Sequence, residues 1–414
     1  MQEQNTRLRI LWIARTCPYP ANDGEKLRVF NLLKTLSQLH DLTVVYRVIE
    51  AEEEAGATEL RKFCKGVYGV RVPRPRGAVE KLRWMLPFLF SRYPLALCTV
   101  FFGPIARQLA QLARSERYDI VQVEHSSLSI YMDHVDFADD PATVLTMHNI
   151  DYLRNERVLR NTPWGAAKLY HWLNQRRFKR WELGVLARYD QVIAMSEVDR
   201  EVLETDVAGL PVQVVPNGVD ATAIPFAPAA AGTNTIIFVA SMDSEANHDG
   251  AMFFLREVWP LLKRQRPDAV LKLVGRGPNA ELRAADNGND VIVTGKVDDV
   301  LKFYREAAVA IVPLRSGGGT RLKILEAMAA GTAVVSTTIG CEGLEVGHER
   351  DILIVDEPAA LAEAICHVLD DEPARAALVH AARELVETRY DWKLIARQHQ
   401  TVYQEALRVH DSRR

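Results

Sequence analysis

Short runs of Val, Ile, Leu and Ala, bounded by turn residues and too brief for helices, recur along the chain and alternate with amphipathic helical stretches. LRILWIA, LTVVYRV, DIVQVE, ATVLTM, DQVIAMS and VQVV punctuate the first half; TIIFVASM, VLKLV, DVIVTG, VAIVPL, TAVVST and ILIV punctuate the second. Apolar runs without polar alternation are buried on both faces, which a parallel sheet covered by helices on each side provides. The class expected is α/β, with two Rossmann-like sheets built one after the other.

Turn chemistry divides the two series. Pro216-Asn217-Gly218 is a strong turn signal, and the Ala-, Pro- and Gly-rich stretch 220–232 reads as a linker. The first domain is expected over 1–219 and the second over 233–391. Residues 149–189 read as one long helix rich in Arg, Trp and Tyr, and 392–414 as a closing helix.

The most chemically informative stretch is 314–331, LRSGGGTRLKILEAMAAG, where an apolar strand empties through three glycines into a helix beginning near Thr320. Gly317, Gly318 and Gly319 lack a Cβ, so N–H groups there and at Thr320 can approach a phosphate or sugar oxygen closely. Arg321 and Lys323 place cations where the helix dipole by itself favours acids, which makes sense if an anion binds. Leu322, Leu325, Glu326 and Ala329 share one helical face, so the Glu326 carboxylate lies in an apolar stripe and needs a partner. A pair of ribose hydroxyls and a bracing Lys or Arg both satisfy that need.

Two histidines end strand-like runs, His125 after DIVQVE and His148 after ATVLTM. Ligands of parallel α/β sheets bind beyond the carboxyl ends of the strands, so both are placed for function, with His148 preferred; a structural hydrogen bond is the plainer alternative. Asp23-Gly24 marks a turn delivering the backbone to a helix mouth.

The order TMHN, PNGVD, GRGP, VTGKVDD and GGGTRLKILEAMAAG resembles the family 4 retaining glycosyltransferases, whose fold is GT-B, two Rossmann-like domains facing each other across a cleft. The resemblance implies that Glu326 contacts the ribose of a nucleotide sugar, that His148 contacts the donor sugar, and that Gly24 and Arg276 lie by the donor phosphates. It places backbone at Lys296 and Val297 against the base, and brings the 392–414 helix back onto the first domain. This chain departs from the pattern in two places. The first of the family's two motif acids falls on Gly318, and the Arg and Lys that follow the first strand of the second domain fall on Ser241 and on Ala246 or Asn247. Arg321 and Lys323, backed by Arg276 and Arg315, are then expected to supply the missing charge.

The resemblance implies transfer of a sugar from a UDP- or GDP-sugar to a glycan or lipid-linked acceptor, in cell-surface polysaccharide or glycolipid assembly. A noncatalytic, membrane-associated nucleotide-sugar-binding protein and a GT-B sugar-nucleotide epimerase are the alternatives. No D-x-D triplet, H-E-x-x-H or P-loop occurs, so neither metal nor cofactor is expected.

The formal net charge of −3 gives no overall attraction to nucleic acid. The cations gather in the front half: residues 61–118 carry twelve Lys and Arg against Glu80 and Glu116, and 154–188 carry nine against Glu156 and Glu182. Solvated helix faces, or contact with an anionic membrane surface or a phosphate-bearing acceptor, both account for this. Trp84, Phe88, Phe90, Tyr93, Phe101 and Phe102 lie among these cations and read as core, with a lipid-facing surface as the alternative. The uncharged, aromatic-bearing run 93–106 is too short to span a bilayer, which takes about 20 apolar residues. Five scattered cysteines and a start that runs directly into a strand imply a cytoplasmic protein, peripheral on the membrane if attached at all.

Overall fold

The computed structural model describes residues 7–48, 52–72, 77–161, 165–317 and 321–414. The chain folds as two units, Met1–Pro216 with Ala396–Arg414, and Asn217–Ile395.

In the first unit β1 (Arg9–Thr16), β2 (Asp41–Val48), β3 (Gly66–Arg71), β4 (Ile120–Glu124), β5 (Ala142–Met147), β6 (Gln191–Ala194) and β7 (Val212–Val214) form one sheet. Their order is β3-β2-β1-β4-β5-β6-β7, and every pairing is parallel. Ile10 to Ile13 of β1 are buried on both faces, as an uninterrupted apolar run requires. The chain steps outward from β1 to β3 and then restarts at β4 on the other side, so the topological switch lies between β1 and β4.

The second unit repeats the plan with β8 (Thr235–Val239), β9 (Val270–Val274), β10 (Val291–Gly295), β11 (Val309–Val312), β12 (Ala333–Ser336) and β13 (Leu353–Ile354). The order is β10-β9-β8-β11-β12-β13, again all parallel, with the switch between β8 and β11.

Six helices bear on function: α1 (Gly24–Leu36), α2 (Ala78–Leu89), α3 (Ala166–Leu186), α4 (Glu245–Phe253), α5 (Leu322–Ala330) and α6 (Trp392–Arg413). In α1 the Asp23 side chain caps the Lys26 N–H at 2.9 Å, and Val29, Leu32, Leu33 and Leu36 turn one face onto the core. The stretch 149–189, expected as one helix, is two: Asp151–Asn161 and then α3, which starts after Gly165.

Residues 220–232 are bound to the second unit by their backbone. The Ala227 N–H donates to Ala330 O at 3.0 Å, and the Arg383 guanidinium gathers Ala221 O, Ile224 O and Ala329 O at 2.6, 3.0 and 2.5 Å. Beside this segment α5 ends at Gly331, whose φ of +87° favours glycine and where a Cβ would stand 3.0 Å from the Phe226 ring. Val219 pairs with the 390–392 turn, its N–H on Tyr390 O at 2.8 Å.

Candidate active site

Each unit gathers polar residues at its own switch point. In the first, Glu124 closes β4, His125 follows it, and His148 follows β5. His148 Nε2 lies 2.5 Å from Glu124 Oε2, and the His148 ring stacks on His125 with centroids 4.5 Å apart. His125 Nε2 is in turn 3.0 Å from Glu25 Oε2, one residue into α1. Gln122 and Thr146 support Glu124 from the sheet, both within 3.3 Å of Oε1. The buried Glu124 carboxylate is therefore partnered at both oxygens, as a low-dielectric interior demands.

The electrostatics follow from that packing. Burial alone would raise the Glu25 carboxyl, but His125, His148 and Arg15 outweigh it and hold it at about 2. Burial, with His148 adding to it, pushes His125 below the ordinary imidazole value. His125 also sits at φ +83°, a backbone state that costs a non-glycine residue about 1–3 kcal/mol and concentrates at working sites. Gly24 is exposed at the α1 mouth, where the Asp23 carboxylate already takes the Lys26 N–H.

In the second unit three loops meet beyond β8, β9 and β11. A side chain at Gly275, φ +143°, would overlap the Ala240 carbonyl oxygen, so this turn closes against the β8 loop only as glycine. Arg276 Nε then donates to Ser241 Oγ at 2.8 Å. The guanidinium thus stands at Ser241, the position at which the resemblance expects an arginine, although it comes from a different strand. Gly275 N–H reaches Gly295 O at 3.2 Å, which brings Lys296, exposed, and Val297, half-buried, beside the same turn.

Gly317 follows β11 at φ +124°, and a Cβ there would meet the Arg321 guanidinium at 3.0 Å. Gly318, Gly319 and Thr320 lie outside the described residues. Helix α5 begins at Leu322, with Arg321 in the N-cap position and its Nη2 3.5 Å from Ile339 O. Lys323 Nζ donates to Asn247 Oδ1 of α4 at 2.8 Å and lies 4.8 Å from the centre of the Phe238 ring. Asn247 is, with Ala246, one of the two positions where the resemblance expects a lysine, and a cation from α5 meets α4 there. Burial pushes Lys323 down to about 7, Arg321 adds to the effect, and Glu326 opposes it. Burial likewise raises the Glu326 carboxyl, against the Lys323 charge and a hydrogen bond from the Tyr304 hydroxyl. Arg315 pairs bidentately with Asp249, at 2.6 and 3.1 Å.

The predicted residues thus fall into two groups. Gly24 and His148 belong to the first unit; Arg276, Lys296, Val297, Gly317, Arg321, Lys323 and Glu326 belong to the second, around its switch point. Sequence reasoning missed Glu25, Arg28 and Tyr304. Arg28 is fully buried on α1 with Nη1 2.6 Å from Pro216 O, and Tyr304 precedes β11 with its hydroxyl 3.1 Å from Lys323 O. Glu25 was open to discovery, since it directly follows Gly24 on the helix that faces the strand ends. Among the described residues no group of His, Cys, Asp and Glu is arranged to hold a metal ion.

Residues 24–223 match the family described as Glycosyltransferase Family 4, and 233–371 match Glycosyl transferases group 1. An uncharacterized 44.6 kDa protein of the cps region of Klebsiella pneumoniae is 25% identical over 94% of this chain and 97% of its own. Phosphatidyl-myo-inositol mannosyltransferase of Mycolicibacterium smegmatis is 32% identical over 53% of this chain and 60% of its own length. Among solved structures, Anabaena HepE in complex with UDP-glucose superposes with a TM-score of 0.67 over 96% of this chain and 100% of that one, at 16% identity.

Proposed function

We propose that this chain, which belongs to family 4 of the glycosyltransferases, moves a sugar with retention of configuration from a UDP- or GDP-sugar onto a glycan or lipid-linked acceptor. Its fold is GT-B. The observation that carries the reading is the cluster beyond β8 and β11: the Gly317 bend, Arg321, Lys323 on Asn247, and Glu326, all at one switch point.

Breaking the bond between the sugar C1 and the diphosphate sends an electron pair to a phosphate oxygen. Fixed cations and N–H dipoles aimed at that oxygen lower the barrier in a site shielded from water. Lys323, Arg321 and Arg276 are assigned that role, together with the N–H groups that the sequence leads one to expect from Gly317 to Thr320. Glu326 accepts from the ribose hydroxyls, with Tyr304 holding its carboxylate in place. The acceptor hydroxyl oxygen bonds to C1 on the face the diphosphate leaves, and its proton passes to the departing phosphate oxygen. His148, fixed by Glu124 and stacked on His125, orients the donor sugar. No metal takes part.

The relatives name two kinds of chemistry: a mannosyl transfer to a phosphatidyl-inositol in one, and bound UDP-glucose in the other. A panel of UDP- and GDP-sugars read by thermal shift separates the donors, because a ligand that binds the folded state raises its melting temperature. Incubation of the stabilising donor with lipid and glycan extracts then distinguishes transfer, an altered sugar nucleotide, and binding alone. Glu326→Ala should weaken donor affinity about tenfold or more, about 1.4 kcal/mol; unchanged affinity would remove the ribose assignment.

A further inference from the structure

Most of the large apolar side chains that the described residues leave exposed belong to one short segment, α2 and the residue after it. Val79, Leu82, Leu86 and Leu89 are between 43% and 71% exposed, and Phe90 is 90% exposed. Their spacing places them on a single face of the helix. The opposite face is satisfied already: Trp84 packs edge-on against Phe102 at 5.7 Å and Phe88 against Tyr93 at 6.4 Å, both on the core of the first unit. Of the six aromatic residues noted in this region, five pack inward and Phe90 alone points out. The outward stripe is therefore aliphatic with one ring at its end, and it is surplus to folding.

Directly beyond Phe90 a pocket of about 400 Å³ opens, lined by Arg92, Arg177, Arg180 and Arg188 with Trp181 at its wall. One carboxylate faces these four guanidiniums. Asp133 takes Arg188 at 2.5 Å and Arg92 at 3.3 Å. Arg177 is spent on Phe88 O, Ser91 O and Tyr93 O, at 3.3, 2.7 and 2.8 Å, which ties α3 to the end of α2. Arg180 is exposed on α3 at the same pocket. The acid of α3, Glu182, does not offset them, because it is buried on the inner side with the Ser126 hydroxyl and the Tyr152 N–H.

The geometry points to this face as a docking surface for an anionic lipid bilayer. The stripe from Val79 to Phe90 enters the acyl boundary, and the Arg92–Arg180–Arg188 pocket takes a lipid phosphate at headgroup depth. An apolar strip rimmed by arginines fits that depth, where hydrocarbon and phosphate are separated by a few ångströms. Arginine suits the headgroup because its planar fork binds phosphate bidentately. No described helix is long and apolar enough to cross a membrane, and the proposed contact is with the surface. The surface is independent of sugar transfer and of every residue assigned to it.

The test uses the whole chain with vesicles of phosphatidylcholine alone and of phosphatidylcholine mixed with phosphatidylglycerol, read by flotation. The protein should float with the anionic vesicles and remain behind with the neutral ones. Leu86→Ser with Phe90→Ser, and separately Arg180→Glu, should each cut binding at least tenfold. These side chains are solvent-exposed, so an unchanged thermal shift with the nucleotide sugar verifies folding and keeps this test apart from the donor assignment. Absence of binding to either vesicle, equal binding to both, or wild-type binding by the variants would overturn the proposal. So would a concentration-dependent dimer that the Phe90→Ser change abolishes, because the face would then belong to a second copy.

Discussion

Lys323 is held in an apolar setting, against the Phe238 ring and with Asn247 as its hydrogen-bond acceptor, and burial brings its ammonium down to about 7. A folded value below the ordinary 10.5 means that the charged form is disfavoured: the contribution to stability is full above about 10.5 and falls as pH drops toward 7. A diphosphate seated beside this nitrogen reverses the preference, since a nearby anion favours the cation. Donor or nucleoside diphosphate binding at pH 8 should therefore take up a substantial fraction of a proton. Titration calorimetry in buffers of different ionisation enthalpy reads that uptake as a slope. Lys323→Met should abolish the slope and lower affinity about tenfold or more. A flat line in the wild type would place the diphosphate elsewhere.

At the scale of elements, two joints hold the sites in position. Arg383 serves three carbonyls at the ends of different segments, so Arg383→Met strips partners from buried acceptors and should cost the second unit about 3 kcal/mol in urea unfolding. In the first unit α1 meets β4 and β5 through Glu25, His125 and His148. With Glu25 depressed to about 2 from 4.5, its contribution is present above pH 4.5 and lost as pH falls through about 2. The stability gap between wild type and Glu25→Gln, up to about 3 kcal/mol, should be full at pH 6 and close in that acid window. A gap independent of pH would mean that the carboxylate acts only by packing. Apart from β3 (Gly66–Arg71), whose two glycines and partly exposed side chains break the pattern, the strands were legible in the sequence because each is a short, mainly apolar run, and the Gly317 to Glu326 stretch because its chemistry is local. Glu25, Arg28 and Tyr304 were harder to read because their partners come from distant segments: Glu25 meets His125 at the carboxyl end of β4, Arg28 reaches Pro216 O, and Tyr304 reaches into α5. The outer face of α2 was hidden for another reason. The helix carries apolar residues on both sides, with Glu80, Lys81 and Arg83 its only charges, so periodicity alone does not tell which side packs.

For the molecule as a whole, the first unit is completed by the end of the chain. Val402, Tyr403 and Ala406 of α6 are fully buried, His399 stacks on Trp12 at 5.7 Å, and Tyr403 meets His40 edge-on at 6.0 Å. Their partners Trp12 and His40 lie in β1 and just before β2, both interior strands of the first sheet. Removing residues 396–414 therefore uncovers β1, where a loss of several kcal/mol exceeds what a domain holds in reserve. The second unit keeps its own core and its own switch-point cluster through Ile395. A chain ending at 395 should accordingly lose protease resistance within residues 1–216 while residues 217–395 stay resistant and are further protected by the nucleotide diphosphate. If both halves became protease-sensitive together, the two cores would be one cooperative body, and Lys323 and Glu326 would depend on α6 as much as His148 does.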